Sequence, residues 1–162
     1  MKWENIAGQE NLKKLLKDSI TENRVSHAQL FIGKEGYGTM PLVLAYAREI
    51  LKGENEHAAS KVEHLNHLDL HFSFPVFTEG KTAVSKNRFD DFREMILNSA
   101  YASFDDWTAH LESENKQFFI SADEVDDQNQ KFALKSFEGG TKILIVWRAD
   151  KMNIAASNKF LK

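Results

Sequence analysis

Residues 33–40 read Gly33-Lys34-Glu35-Gly36-Tyr37-Gly38-Thr39-Met40, between a short apolar segment, Ala28–Ile32, and a helix-forming one, Pro41–Lys52. A strand that stops at a glycine-rich loop and continues as a helix is the setting of a phosphate-binding P-loop, G-x-x-x-x-G-K-[ST]. There the glycines let backbone N–H groups turn inward around phosphate oxygens, at the positive end of the helix. Gly33 and Gly38 stand at the required spacing, and Gly36 adds freedom between them. The chemistry-bearing positions differ. Thr39 stands where a lysine would reach the β and γ phosphates, and Met40 where a hydroxyl would ligate magnesium. A threonine hydroxyl is short and neutral, and a thioether is a poor ligand for a hard cation. Lys34 lies early in the loop, badly placed to substitute. The candidate site is a vestigial phosphate loop of Gly33, Gly36, Gly38 and Thr39, with no catalytic residue, cofactor or metal ligand expected. On the loop alone, a plain glycine-rich turn with no phosphate history stays open.

Elsewhere the pattern alternates between two periods. Leu12, Leu15, Leu16 and Ile20 recur at helical spacing within Gln9–Glu22, with lysines between them. The helix Pro41–Lys52 is apolar nearly all round and is expected to be buried. Phe89, Phe92 and Ile96 mark one further helix, and Phe104, Trp107 and Leu111 another, each with its apolar side in the core. Strands are expected at Ala28–Ile32, Leu68–Phe74, Phe118–Ile120 and Lys142–Trp147. The last is a continuous apolar run of the kind that fills a covered parallel sheet. Ser121-x-x-Glu124 matches a capping box opening a helix to about Lys135. Gly139-Gly140 reads as a turn, and Asn153 as the cap of a helix still running at Lys162. Gly53–His67 and Thr78–Asn87 read as polar surface excursions. Strands alternating with helices predict an α/β fold with a parallel sheet.

Composition excludes several classes. The 162 residues suit one domain with a single core. No cysteine is present, which removes disulfides, thiol nucleophiles and cysteine-bound zinc. The formal charge is −3 with lysine and arginine scattered, whereas a self-sufficient DNA-binding domain shows a basic stripe. No apolar run reaches the roughly 20 residues that span a bilayer, and no signal-type block follows Met1, so a cytoplasmic address is expected. His57, His64, His67 and His71 cluster in sequence around Asp69, a metal-site composition with nothing to fix its geometry. Ser26 and His27 are adjacent, and adjacent residues seldom face each other as nucleophile and base.

Three segments carry a family resemblance: Ile6-Ala7-Gly8-Gln9-Glu10, then Arg24-Val25-Ser26-His27-Ala28-Gln29-Leu30-Phe31, then the glycine loop. In this order they resemble the bacterial DNA polymerase III clamp-loader subunits, delta-prime and gamma/tau, which are AAA+ proteins. Downstream, Lys142–Met152 is similar to the family's Walker B strand and its sequel, and Asn153–Lys162 to the helix after it. The resemblance implies a three-layer, parallel-sheet P-loop fold (AAA+/RecA-like). It makes residues 1–162 a truncated single AAA+ domain, with lid and collar domains outside this chain. By the same resemblance Trp147 replaces a magnesium-binding aspartate, and Arg148 the glutamate that activates water. An indole and a guanidinium can do neither task. A degenerate P-loop (Walker A) of this kind is typical of the delta-prime type. The implied role is non-hydrolysing: a scaffold in a hetero-oligomeric ring with gamma/tau and delta, touching DNA only indirectly in DNA replication. That type lends an arginine finger from a Ser-Arg-Cys segment, which would lie beyond Lys162. Its usual zinc module is ruled out by the missing cysteines. The alternatives are an active P-loop ATPase or kinase, a gamma/tau-like subunit with an unusual nucleotide site, and a metal-dependent hydrolase built on the histidines.

Overall fold

The computed structural model describes residues 1–53, 55–113, 115–137 and 140–161. Among the described residues, seven α-helices and two strands follow one another as α1 (Glu10–Thr21), α2 (Thr39–Lys52), α3 (Glu56–Glu63), β1 (Leu70–Ser73), α4 (Phe89–Asn98), α5 (Phe104–His110), α6 (Ala122–Ala133), β2 (Ile143–Val146) and α7 (Ile154–Phe160). The strands pair in parallel, with Leu70 opposite Ile143, Phe72 opposite Ile145 and Ser73 opposite Val146. Single bridges extend this sheet region, antiparallel at Val76–Phe119 and parallel at Ile120–Met152. A mixed α/β chain with a small parallel sheet is what the alternation predicted. The expected turn at Gly139-Gly140 and the helix end at Lys162 involve residues outside those described.

The near-uniform apolarity of α2 has a direct cause. Met40, Leu44 and Ala47 enter a large cluster with Phe72, Phe74, Phe92 and Trp107. Leu42, Ala45 and Tyr46 enter a second cluster with Trp3, Ile6 and Leu16. A helix wedged between two cores needs apolar residues on both faces.

Several sequence expectations need correction. Phe118–Ile120, expected as a strand, makes single bridges at Phe119 and Ile120 and no ladder among the described residues. Thr78–Asn87, expected as a polar surface excursion, buries Ala83, Val84 and Ser85. Ala28–Ile32, expected as a buried strand, begins in a bend and pairs with no strand among the described residues. Leu30 is 78% exposed and Ile32 88%, and Phe31 alone turns inward, its ring 6.4 Å from Tyr46. A strand exists through its ladder partners, and an apolar run by itself cannot supply them. Gly53–His67, expected as a surface excursion, contains α3. Its inward face is only Ala58, Ala59 and Val62, too weak a pattern to register as periodicity. The Asn55 side chain caps α3 by accepting the His57 N–H at 2.9 Å. Arg48, buried on α2, donates to Glu63 at 2.7 Å and binds the two helices together.

Capping also differs from expectation. Ser121 does accept the Glu124 N–H at 3.0 Å. The Glu124 carboxylate does not return to the cap; it points into the core. A complete capping box occurs instead at α5, between Ser103 and Asp106. Asn153 caps α7 as expected, accepting the Ala156 N–H at 2.8 Å. No helix among the described residues is long and apolar enough to cross a membrane.

Candidate functional site

The glycine loop follows Ala28–Ile32 and enters α2 at Thr39. Tyr37 N–H donates to Lys34 C=O at 3.3 Å, and the first bond of the helix runs from Leu42 N–H to Gly38 C=O at 3.0 Å. Gly38 sits at φ +95°, in the left-handed region, with Tyr101 and Ile6 close by. A Cβ there would stand 3.4 Å from the Tyr101 ring, so space is nearly sufficient and backbone strain decides the outcome. Gly38→Ala is expected to cost about 1–2 kcal/mol, read as a fall of a few degrees in a thermal melt. An unchanged melting temperature would contradict the loop geometry.

Each sequence-predicted site residue has a definite place. Gly33 is needed for close approach, since a Cβ on it would meet Thr39 Oγ1 at 2.5 Å. The Thr39 hydroxyl thus lies against the base of its own loop. Met40 is buried in the larger core, away from the loop. Lys34 is exposed.

Across from the loop is the end of β2. Trp147 N–H still pairs with Ser73 C=O at 2.8 Å. Its ring packs on Phe92 at 5.6 Å and Phe104 at 6.3 Å, so the half-buried indole lies against the core. Arg148 then takes left-handed geometry, φ +57°, and turns the chain. Its guanidinium grips Asp150 in a fork, Nε to Oδ1 at 2.8 Å and Nη2 to Oδ2 at 2.7 Å. It lies 5.0 Å over the Phe104 ring, and Nη1 donates to Glu35 of the glycine loop. Glu35 Oε1 also accepts the Phe104 N–H at 3.3 Å. Loop and strand end therefore meet, and Glu35 is the residue that joins them. The Arg148 hydrogen bonds hold the Asp150 carboxyl below the usual carboxylate range, and Asp150, with Glu35, raises the Arg148 pKa in return.

These positions do not carry the usual ligand types of a magnesium nucleotide. Met40 lies in the core, Trp147 packs against it, Thr39 stands in place of a lysine, and the cation at the strand end already faces two carboxylates. The histidines do not assemble either. His57 is exposed, His64 Nδ1 lies 2.8 Å from Ser60 C=O, and His71 packs edge-on to Phe132 at 5.4 Å. Burial, with Lys131 and Lys142 nearby, lowers the His71 pKa. Among the described residues no three histidine, aspartate or glutamate side chains converge as a metal site.

The family model for the DNA polymerase III delta subunit matches residues 8–162. The chain belongs to this family. DNA polymerase III subunit delta' of Bacillus subtilis (strain 168) is 35% identical over 98 residues, covering 56% of this chain and 30% of the relative. The chain thus spans well under half the length of that relative. No solved structure matches it. The delta-prime resemblance drawn from the glycine loop and the Walker B region agrees with both matches.

Proposed function

We infer that this chain is part of a delta-prime-type subunit that scaffolds the sliding-clamp loading complex in DNA replication and does not itself hydrolyse ATP. The observation that carries this reading is the corner at Arg148. Phosphoryl transfer requires a cation on the β and γ phosphates, a metal held by hydroxyl and carboxylate oxygens, and a group that orients or deprotonates water. Here the metal-ligand position just after β2 is an indole packed against the core. The water-activating position is a guanidinium, which stays protonated and cannot accept a proton. What remains is a loop of the right shape, Gly33, Gly36, Gly38 and Thr39, read as a vestigial phosphate cradle.

In the same reading residues 1–162 form a partial AAA+ domain of the three-layer P-loop type, with lid and collar domains supplied elsewhere. Gamma/tau and delta subunits are the partners in a ring, DNA is contacted only through the assembly, and the protein works in the cytoplasm.

The test has two arms. Incubated with Mg-ATP, the chain is expected to release phosphate at the rate of a blank. Turnover above that rate, abolished by Gly38→Ala, would instead establish an active P-loop ATPase. Mixed with gamma/tau and delta, the full-length protein is expected to co-elute with them as a ring on size-exclusion chromatography. Separate elution would remove the scaffold reading.

A further inference from the structure

Glu35 and Arg148 lie 113 positions apart in sequence, yet they close the glycine loop onto the end of β2. Three of the guanidinium donors are engaged, two on Asp150 and one on Glu35, and its face lies over Phe104. The Glu35 carboxylate is held from two directions, by Arg148 and by the Phe104 N–H. We propose that Glu35 is a built-in occupant of this corner, an autoinhibitory latch whose carboxylate takes the place an incoming anion would need at Arg148. The latch goes beyond the non-hydrolysing role inferred above and does not depend on the identity of the partners.

Two carboxylates face the guanidinium, and Lys151 lies over the same Phe104 ring, so the corner is close to charge-balanced and exclusion comes from Glu35 filling the donor position at Arg148. Glu35 is placed by the turn that Lys34 C=O and Tyr37 N–H close, with Gly36 at φ +76° inside it. Loop geometry thus delivers the carboxylate. The pair is also 25% and 41% exposed at Arg148 and Glu35, so water and salt compete with it. It acts as a reversible bias and not as a permanent closure.

Amide hydrogen exchange at residues 34–38 tests the latch. Glu35→Gln and Arg148→Gln are each expected to speed exchange by about two- to fivefold, the range for a partly exposed ion pair. The double variant should be no faster than either single one. Independent, multiplying effects, or no effect at all, would overturn the latch. Calorimetric titration with magnesium-free tripolyphosphate adds a second readout. Glu35→Gln is expected to bind it about tenfold tighter than the original chain, and the gain should vanish when Arg148→Gln is added. Equal affinity in the original chain and Glu35→Gln would overturn the occupant role. Both substitutions sit at the surface, and unchanged far-UV spectra would confirm folded variants. ATP turnover by the original chain would remove the non-hydrolysing reading while leaving this coupling measurement intact.

Discussion

Trp107→Ala is expected to lower stability by about 3–5 kcal/mol, the range for emptying a large aromatic site. Trp107 is fully buried, at 0% exposure. Its ring stands edge-on to Phe74 at 5.4 Å and to Phe92 at 5.7 Å, both at 88°. Those two rings stack on each other at 4.0 Å, so the indole closes a three-ring unit. The alanine would leave a void that α5 cannot collapse into without moving its capping box. Nε1–H also donates to Pro75 C=O at 2.8 Å, just beyond β1. Trp107→Phe should keep much of the packing but lose that bond and leave a smaller void, at an intermediate cost of about 2–3 kcal/mol. A chain of this size loses about 2–4 °C per kcal/mol, so the alanine variant should melt about 10 °C lower. A loss under about 1 kcal/mol would show that the aromatic unit is not the centre of the core. The effect reaches the site, because Phe92 also backs Trp147, which sets the strand end where Arg148 turns.

Much of this fold was readable because its elements carry strong periodic signals. The helices α1, α2, α4 and α5 announce themselves through large apolar residues at helical spacing, and β2 through four consecutive branched aliphatics. The helix α3 hides behind alanines, which bury well yet add little contrast to any periodic pattern. Ala28–Ile32 failed for a different reason. Its composition is that of a strand, but pairing is a property of neighbours and cannot be read from one segment. The site divides in the same way. Glycine spacing, Thr39, Met40, Trp147 and Arg148 were legible as departures from a phosphate-binding pattern. Where the departing side chains go was not. Nothing local distinguishes a tryptophan at a strand end that faces a cleft from one that joins Phe92 and Phe104. Glu35 was invisible for the same physical reason, since its partner is brought to it only by the complete fold.

Glu124 shows how a correct local motif can misstate the role of its residue, and it marks the second large expected effect. The Ser121-x-x-Glu124 pattern predicts a side chain folded back onto the helix start. Instead the carboxylate is 1% exposed and accepts three hydrogen bonds: Ser85 N–H at 2.7 Å, Ser85 Oγ–H at 2.7 Å and Gln128 Nε2–H at 2.8 Å. Gln128 Nε2 donates as well to Phe72 C=O at 2.9 Å. In β1 the carbonyls of Asp69 and Ser73 accept from the β2 side, so Phe72 C=O faces the opposite edge. The Glu124 network thus closes that edge of the sheet and pins the segment before α4 to it. Such an edge left open exposes unpaired backbone groups. Glu124→Ala strands the Ser85 N–H in a dry interior and leaves the Gln128 amide with only its Phe72 C=O bond, with an expected cost of about 2–4 kcal/mol. Glu124→Gln keeps one acceptor oxygen but turns an NH₂ toward a donor, so an intermediate loss is expected. Urea denaturation should show a lower midpoint with an unchanged slope, and the Ser85 amide should exchange faster in both variants. If alanine proved neutral while glutamine was costly, the carboxylate would not be what holds this edge, and hydrophobic packing of α6 alone would have to explain it.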